Sequence, residues 1–243
     1  STPETMGRIS GFAWGIGYMG GLASLMLCVP FVREGITVDN QMNVRITAWI
    51  TSGFFLVGGL PMFLLVKERG ERRSGLTFFQ AVAAGTHRVR ETFRHVKAYE
   101  ALAKFFPMYF LYTAGLSIVI AFSSVYAERE LGFRPMELMK LFIVLQISAC
   151  LGAVSFGWFQ DRIGSRRTIL ITLIMWWGVV AGTALCESKT LFIVIANAAG
   201  LAIGATASAS RTYVGLLVQP GRTAETYGFM GLFAKLASGM GAL

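Results

Sequence analysis

The residues of this chain best placed to do chemistry are electrostatic rather than nucleophilic. Residues 157–167 read Gly157-Trp-Phe-Gln-Asp161-Arg162-Ile-Gly164-Ser-Arg166-Arg167. A carboxylate and several guanidiniums around a glycine turn can form a latch. Asp161 can face the positive N-terminus of another helix, and the arginines can bridge to acids or helix C-termini on the same face. The bland reading is a basic turn, with Gly164 making the turn and the arginines setting topology. Lys235 stands alone in an apolar stretch, about 15 Å beyond Glu225 at the helical rise. A charge near a bilayer centre costs about 2.5–3.5 kcal/mol, so it faces a cavity or a partner. Its ammonium can meet a substrate carboxylate, pair with a carboxylate of other spans, or snorkel to the interface. Gln146, Asn197, Tyr112 and Ser117 add uncharged polar groups within apolar stretches. Each can contact a ligand, and each is more ordinarily an interhelical hydrogen bond.

Other familiar chemistries find no support. Gly15-Ile-Gly17-Tyr-Met-Gly20 matches GxGxxG, but it lies inside an apolar stretch with no preceding strand, so it is no nucleotide loop. Gly11/Gly15, Gly17/Gly21 and Gly200/Gly204 are GxxxG pairs that let helices approach closely. Cys28, Cys150 and Cys186 are far apart, without CxxC or metal spacing, and read as small packing residues. His87 and His95 have no acidic or cysteine partner nearby. No Ser-His-Asp arrangement, zinc motif or P-loop is present, so no enzyme, metal, cofactor or ATP-driven pump is expected.

The elements that must position these residues are transmembrane helices. Hydrophobic residues make up 54% of the 243 residues and charged ones 14%, with a mean hydropathy of +0.59; soluble domains carry about 25% charge. A span needs about 20 mostly apolar residues. Six such blocks run 9–32, 44–66, 107–127, 138–159, 168–186 and 190–214, and a seventh starts near Tyr227 and is still apolar at Leu243. Barrel strands would alternate over about ten residues; these blocks are solid and longer, which makes the fold class an all-α membrane protein, a multi-span helical bundle. The first block is too long for a signal peptide and has similar blocks after it.

Charge sets the orientation. The formal net charge is +9, and Lys and Arg gather in cytoplasmic loops. The second connection, Lys67 to Phe106, carries Arg69, Arg72, Arg73, Arg88, Arg90, Arg94, Lys97 and Lys104 besides Lys67. The fourth carries Arg162, Arg166 and Arg167, and the sixth Arg222 with Arg211 close by. The alternate connections hold matched charges, such as Arg129 with Glu128 and Glu130. Strict alternation puts Arg8 inside. It also explains the basic pI of about 9.8, and no nucleic-acid partner is expected. Within the second connection Val82, Val89, Phe93, Val96 and Ala103 recur at helical spacing, the pattern of a helix lying on the inner membrane surface. That reads first as a bilayer-held linker, and second as a regulatory partner site.

The loop at 157–167 resembles the signature cytoplasmic loop of the major facilitator superfamily, GxxxDRxGxRR, at every defined position. The stretch Ser10-Gly11-Phe12-Ala13-Trp14-Gly15-Ile16-Gly17-Tyr18-Met19-Gly20-Gly21 is similar to the SGxGxGxGYxGG stretch of the vacuolar effluxer branch, the autophagy-related amino-acid exporters with many bacterial members. Ser210-Arg211, Pro220, Glu225, Gly228-Phe229 and Lys235 resemble its SR…P…ExFGF…GK segment, with Ala234 replacing a glycine and Ala207 a glutamine. The resemblance implies a partial major facilitator fold, about spans five to eleven of twelve. Residues 1–66 are then the last two spans of the N-terminal half, 67–106 a basic linker, and 107–243 a truncated C-terminal half; the missing half of the same polypeptide is a necessary partner. It further implies that the loop is a cytoplasmic gate, with Asp161 facing the N-terminus of the first span near Ser10 and Gly11.

The expected function is therefore secondary or facilitated transport by alternating access in a lipid bilayer, exporting amino acids or similar small solutes. A sugar or drug exporter, or a non-transporting scaffold or sensor, is the alternative. The resemblance places it in the bacterial inner membrane, or in the vacuolar membrane of a eukaryote. No Asp or Glu lies near a span centre. A proton-coupled mechanism therefore needs a carboxylate from the missing half.

Overall fold

A computed structural model describes residues 3–32, 41–66, 77, 80, 100–218 and 222–241. Among them are seven α-helices: α1 Met6–Cys28, α2 Gln41–Leu65, α3 Glu100–Arg129, α4 Pro135–Ile163, α5 Ser165–Ala184, α6 Lys189–Leu217 and α7 Thr223–Gly241. The first six are long and apolar enough to cross a membrane. The seventh apolar block is the helix α7. The chain is an integral, multi-pass, all-α membrane protein.

Helix boundaries follow local chemistry. α4 opens on Pro135, whose fixed φ suits a first helical position, and Glu137 accepts a hydrogen bond from the Arg134 amide at 2.7 Å. It stops at Gly164, whose φ of +87° only glycine adopts without strain. α6 opens on Ser188, whose hydroxyl accepts from the Leu191 amide at 3.3 Å. α3 differs from the sequence expectation. It does not begin at Pro107 but runs through that proline from Glu100. Residues 100–106 thus continue into the span as one helix, and Leu102, Phe105 and Phe106 are buried in a cluster with Ile169, Ala209, Val214 and Phe229. Most of the second connection, with its amphipathic stretch and both histidines, lies outside the described residues.

The two ends of the bundle agree with the charge pattern. At one end Asp161 of α4 meets the start of α1, and Tyr227 of α7 donates to the Arg211 carbonyl of α6 at 3.3 Å. At the other, Tyr126 donates to the Cys186 carbonyl at 2.6 Å and Lys189 pairs with Glu137 at 2.8 Å. Arg8, the fourth connection and Arg222 therefore share one end, the cytoplasmic one by the positive-inside rule.

Size is distributed inside out. Ala153, Ala202, Ala205 and Ala209 are fully buried, while Phe63 is 87% and Trp177 77% exposed. Small residues let backbones touch, and large apolar ones point outward from this bundle. The centre is the contact of α1, α4 and α6. A Cβ on Gly11 of α1 would lie 2.5 Å from the Ala153 carbonyl of α4. A Cβ on Gly204 of α6 would collide with the Ala149 carbonyl and lie 2.7 Å from the Ala153 amide. Ala153 is thus clamped between glycines of two helices. Of the sequence-marked glycines, Gly11, Gly15, Gly21, Gly200 and Gly204 sit in such contacts, whereas Gly17 has open space around it.

Gly204→Ala pushes on backbone that cannot swing aside and is expected to cost about 1–3 kcal/mol, whereas Gly17→Ala is expected to leave stability unchanged or slightly raised. Thermal unfolding of both variants of the full-length protein in detergent, followed by size-exclusion chromatography, checks the contrast. Equal melting would refute the packing assignment.

Candidate functional site

Asp161 is delivered to α1 by glycines. One turn before it, Gly157 lies so close to α1 that a Cβ would sit 2.8 Å from the Gly7 carbonyl and 3.1 Å from the Gly11 Cα. That approach carries the carboxylate to the first turn of α1. There Oδ1 accepts from the Gly7 amide at 2.8 Å, and Oδ2 from the Arg8 amide at 3.2 Å and from Arg8 Nε at 2.9 Å. Thr5, the residue preceding α1, makes no side-chain cap. Asp161 therefore caps α1 from another helix, using the free amides and positive dipole end of that helix. The Arg8 guanidinium also lies 5.4 Å from the Trp158 ring centroid.

The contact falls one turn before Ser10 and Gly11, because α1 starts at Met6 rather than Ile9. Ser10 instead ties α1 to α6, its buried hydroxyl donating to the Ser208 carbonyl at 3.1 Å. Arg162 is exposed and, with Glu4, Arg8, Trp158 and Asp161, borders a recess of about 320 Å³. Arg166 and Arg167 stand exposed in the first turn of α5, an end where the helix dipole disfavours cations; their positions suit topology rather than helix stability. Beside the contact, the Gln160 carboxamide is 2% exposed and makes no hydrogen bond among the described residues; neither does the Ser208 hydroxyl.

Towards the middle of the bundle a cavity of about 250 Å³ opens between α1, α3, α5, α6 and α7. Tyr112 and Ser117, both singled out from sequence, line it. Trp14, Tyr18, Tyr109 and Trp176 add rings; Trp14 stacks on Tyr18 at 5.8 Å and Tyr109 meets Tyr112 edge-on at 5.4 Å. A hydrogen-bond chain crosses three helices here. The Ser210 hydroxyl donates to the Thr206 carbonyl at 2.6 Å and lies 2.7 Å from the Tyr112 hydroxyl. Trp176 Nε1 donates to Thr206 Oγ1 at 3.2 Å. Thr206 Oγ1 in turn donates to the Ala202 carbonyl at 2.7 Å.

Three sequence candidates lie elsewhere. Gln146 spans to the Tyr18 carbonyl of α1 at 3.5 Å, over Gly21. Asn197 accepts from Ser148 of α4 at 2.7 Å and donates to its own helix at Ile193, 2.8 Å away. Both act as braces between helices, the ordinary use of such groups in a bilayer. Lys235 is exposed on α7 and does not line this cavity; Met230 is the α7 residue that does. The aromatic members of the lining carried only a weak signal in sequence, rings recurring mid-span at Trp14 and Tyr18, and Trp176 carried none.

The sequence model of the family described as "Vacuole effluxer Atg22 like" matches residues 3–243. The chain is 24% identical to an uncharacterized MFS-type transporter, YxiO, of Bacillus subtilis (strain 168), over 100% of this chain and 57% of that protein. It is 21% identical to autophagy-related protein 22-1 of Aspergillus fumigatus, over 95% of this chain and 41% of that one. The chain spans about half the length of the curated relatives it matches. No solved structure matches it.

Losing the Asp161 charge removes charge-assisted bonds of about 1.5–3 kcal/mol, whereas Gln160→Met replaces unbonded polar atoms by an apolar chain of similar shape. In full-length protein stripped of native cysteines, Asp161→Asn is expected to raise the labelling rate of a Ser10→Cys probe from the cytoplasmic side roughly ten-fold or more. Gln160→Met is expected to lower it.

Proposed function

The chain belongs to the vacuole effluxer Atg22-like family of major facilitator transporters, and from that premise we propose that it is part of a secondary or facilitative transporter that exports amino acids or similar small solutes by alternating access. The observation that carries this reading is the Asp161 cap on α1. It is a polar contact between two helices that also pack closely through Gly11, Gly157 and Ala153, and it lies at the cytoplasmic end of a bundle with a cavity further in. Closed, it shuts the cytoplasmic side; parted, it opens a route between α1 and α4. In this reading Asp161, Arg162, Gly157 and the Gly164 turn are the gate. Arg166 and Arg167 hold the loop at the cytoplasmic face. Residues 1–66 belong to one half of the transporter and α3 to α7 to the other.

Tyr112 and Ser117 contribute to the solute cavity, and Gln146 and Asn197 keep its walls in register. Lys235 is exposed on an apolar helix. A bare ammonium facing hydrocarbon is costly, so in this reading it faces the rest of the pathway, where it can receive a carboxylate of the solute or of the other half. The amino-acid substrate rests on family resemblance, which is an analogy from fold to function.

Uptake of a labelled amino-acid panel into proteoliposomes carrying the full-length protein tests this reading. At least one neutral amino acid is expected to accumulate, with the rate falling at least ten-fold, about 1.4 kcal/mol, in a folded Lys235→Ala variant. Absence of uptake for the whole panel, with and without a proton gradient, would remove the amino-acid substrate and leave sugars or drugs.

A further inference from the structure

The transport reading leaves open which end of a solute the cavity holds, and the lining carries information on its sign. Among the described residues, the lining of the roughly 250 Å³ cavity contains no Asp, Glu, Lys, Arg or His. An anion entering it therefore meets no counter-charge among the described residues. It does meet five aromatic residues from three helices: Trp14 and Tyr18 of α1, Tyr109 and Tyr112 of α3, and Trp176 of α5. Ring faces carry partial negative charge and attract cations.

The hydrogen-bond chain acts in the same direction. A serine hydroxyl has one proton, and Ser210 gives its proton to the Thr206 carbonyl at 2.6 Å. In the 2.7 Å contact with Ser210, Tyr112 must then be the donor. The Trp176 N–H is spent on Thr206 Oγ1, and the Thr206 hydroxyl proton on the Ala202 carbonyl. Every proton of this network is used inside the wall. What Tyr112 can still offer the cavity is oxygen lone pairs. Tyr18, Tyr109, Thr113 and Ser117 add hydroxyls that can turn either way, so they do not set the sign. Lys235, the one cation of the apolar part of α7, is outside the lining.

We infer that this cavity seats the ammonium end of an organic solute, with N–H groups on the Tyr112 oxygen and charge against the rings, and that it does not seat a carboxylate. The inference rests on the transport reading and deepens it: the carboxylate of an amino acid has to be met elsewhere in the pathway.

The test keeps the apolar part of the probe constant and separates its two ends. Isoamylamine carries the ammonium without a carboxylate; 4-methylpentanoate carries the carboxylate without an ammonium. Their binding to purified full-length protein is measured by isothermal titration calorimetry. The amine is expected to bind at least ten-fold more tightly than the acid. Tyr112→Phe, which keeps the ring and removes the oxygen together with its bond to Ser210, is expected to weaken the amine several-fold in protein that stays folded by size-exclusion chromatography. Equal or tighter binding of the acid, no binding of either probe, or an unchanged amine affinity in Tyr112→Phe overturns the inference. Amino-acid uptake with no amine preference would leave the transporter standing and remove this site. Amine binding without uptake of any amino acid would do the reverse.

Discussion

Inside a bilayer an apolar side chain gains nothing by leaving lipid for another helix, so this bundle has to be held by something other than hydrophobic burial. The contact that does so is the near-touching of backbones at Ala153. Gly11 of α1 presses on its carbonyl and Gly204 of α6 on its amide. Dispersion between closely fitted surfaces falls off within a fraction of an ångström. The fit is therefore as restrictive as it is favourable, and each further feature depends on it. The same approach at Gly157 determines how far the Asp161 carboxylate reaches. At Gly152 it brings the Leu201 backbone against α4, fixing the rotation of α6 and the direction of Thr206 and Ser210.

Set on that frame, the polar groups divide by strength. Asp161 accepts three hydrogen bonds, one from a guanidinium, and would alone hold α1 firmly. Gln160, one residue earlier and nearly fully buried, has no partner among the described residues and works against it, because an unpaired buried amide forfeits its hydration. A contact whose strongest member is opposed by its nearest neighbour is closer to balance than either residue indicates. Such a balance is what an element that alternates between two arrangements requires.

Much of this is legible in sequence. Long solid blocks mark six spans, and the charge of the connections places Asp161 and Arg8 at the same end. The spacing of residues 157–167 singles out the carboxylate and the turn glycine. What stays hidden has physical causes. α1 starts earlier than its apolar block indicates because Gly7 and Arg8 interrupt the apolar run, and the carboxylate that caps them comes from α4, a contact no local pattern shows. The start of α3 is hidden by Pro107, which normally interrupts a helix but here sits within a continuous one. Gln146 and Asn197 are polar and mid-span like Tyr112, and rotation about the helix axis, which periodicity in an all-apolar span does not reveal, sends them to interfaces. Trp176 is one of many large apolar residues, and its value lies in a partner, Thr206, on another helix.

The Asp161 cap has a consequence for α1 itself. A helix whose leading amides are satisfied by its own preceding residue keeps its first turn wherever it goes. α1 is not such a helix, since Thr5 supplies no cap and the carboxylate belongs to α4. In the proposed gating, parting of the two helices takes the acceptor from the amides of Gly7 and Arg8 and leaves the first turn free to fray into the aqueous layer. Opening is then coupled to a small local unfolding, in which chain entropy released at the end of α1 offsets part of the lost electrostatic contact.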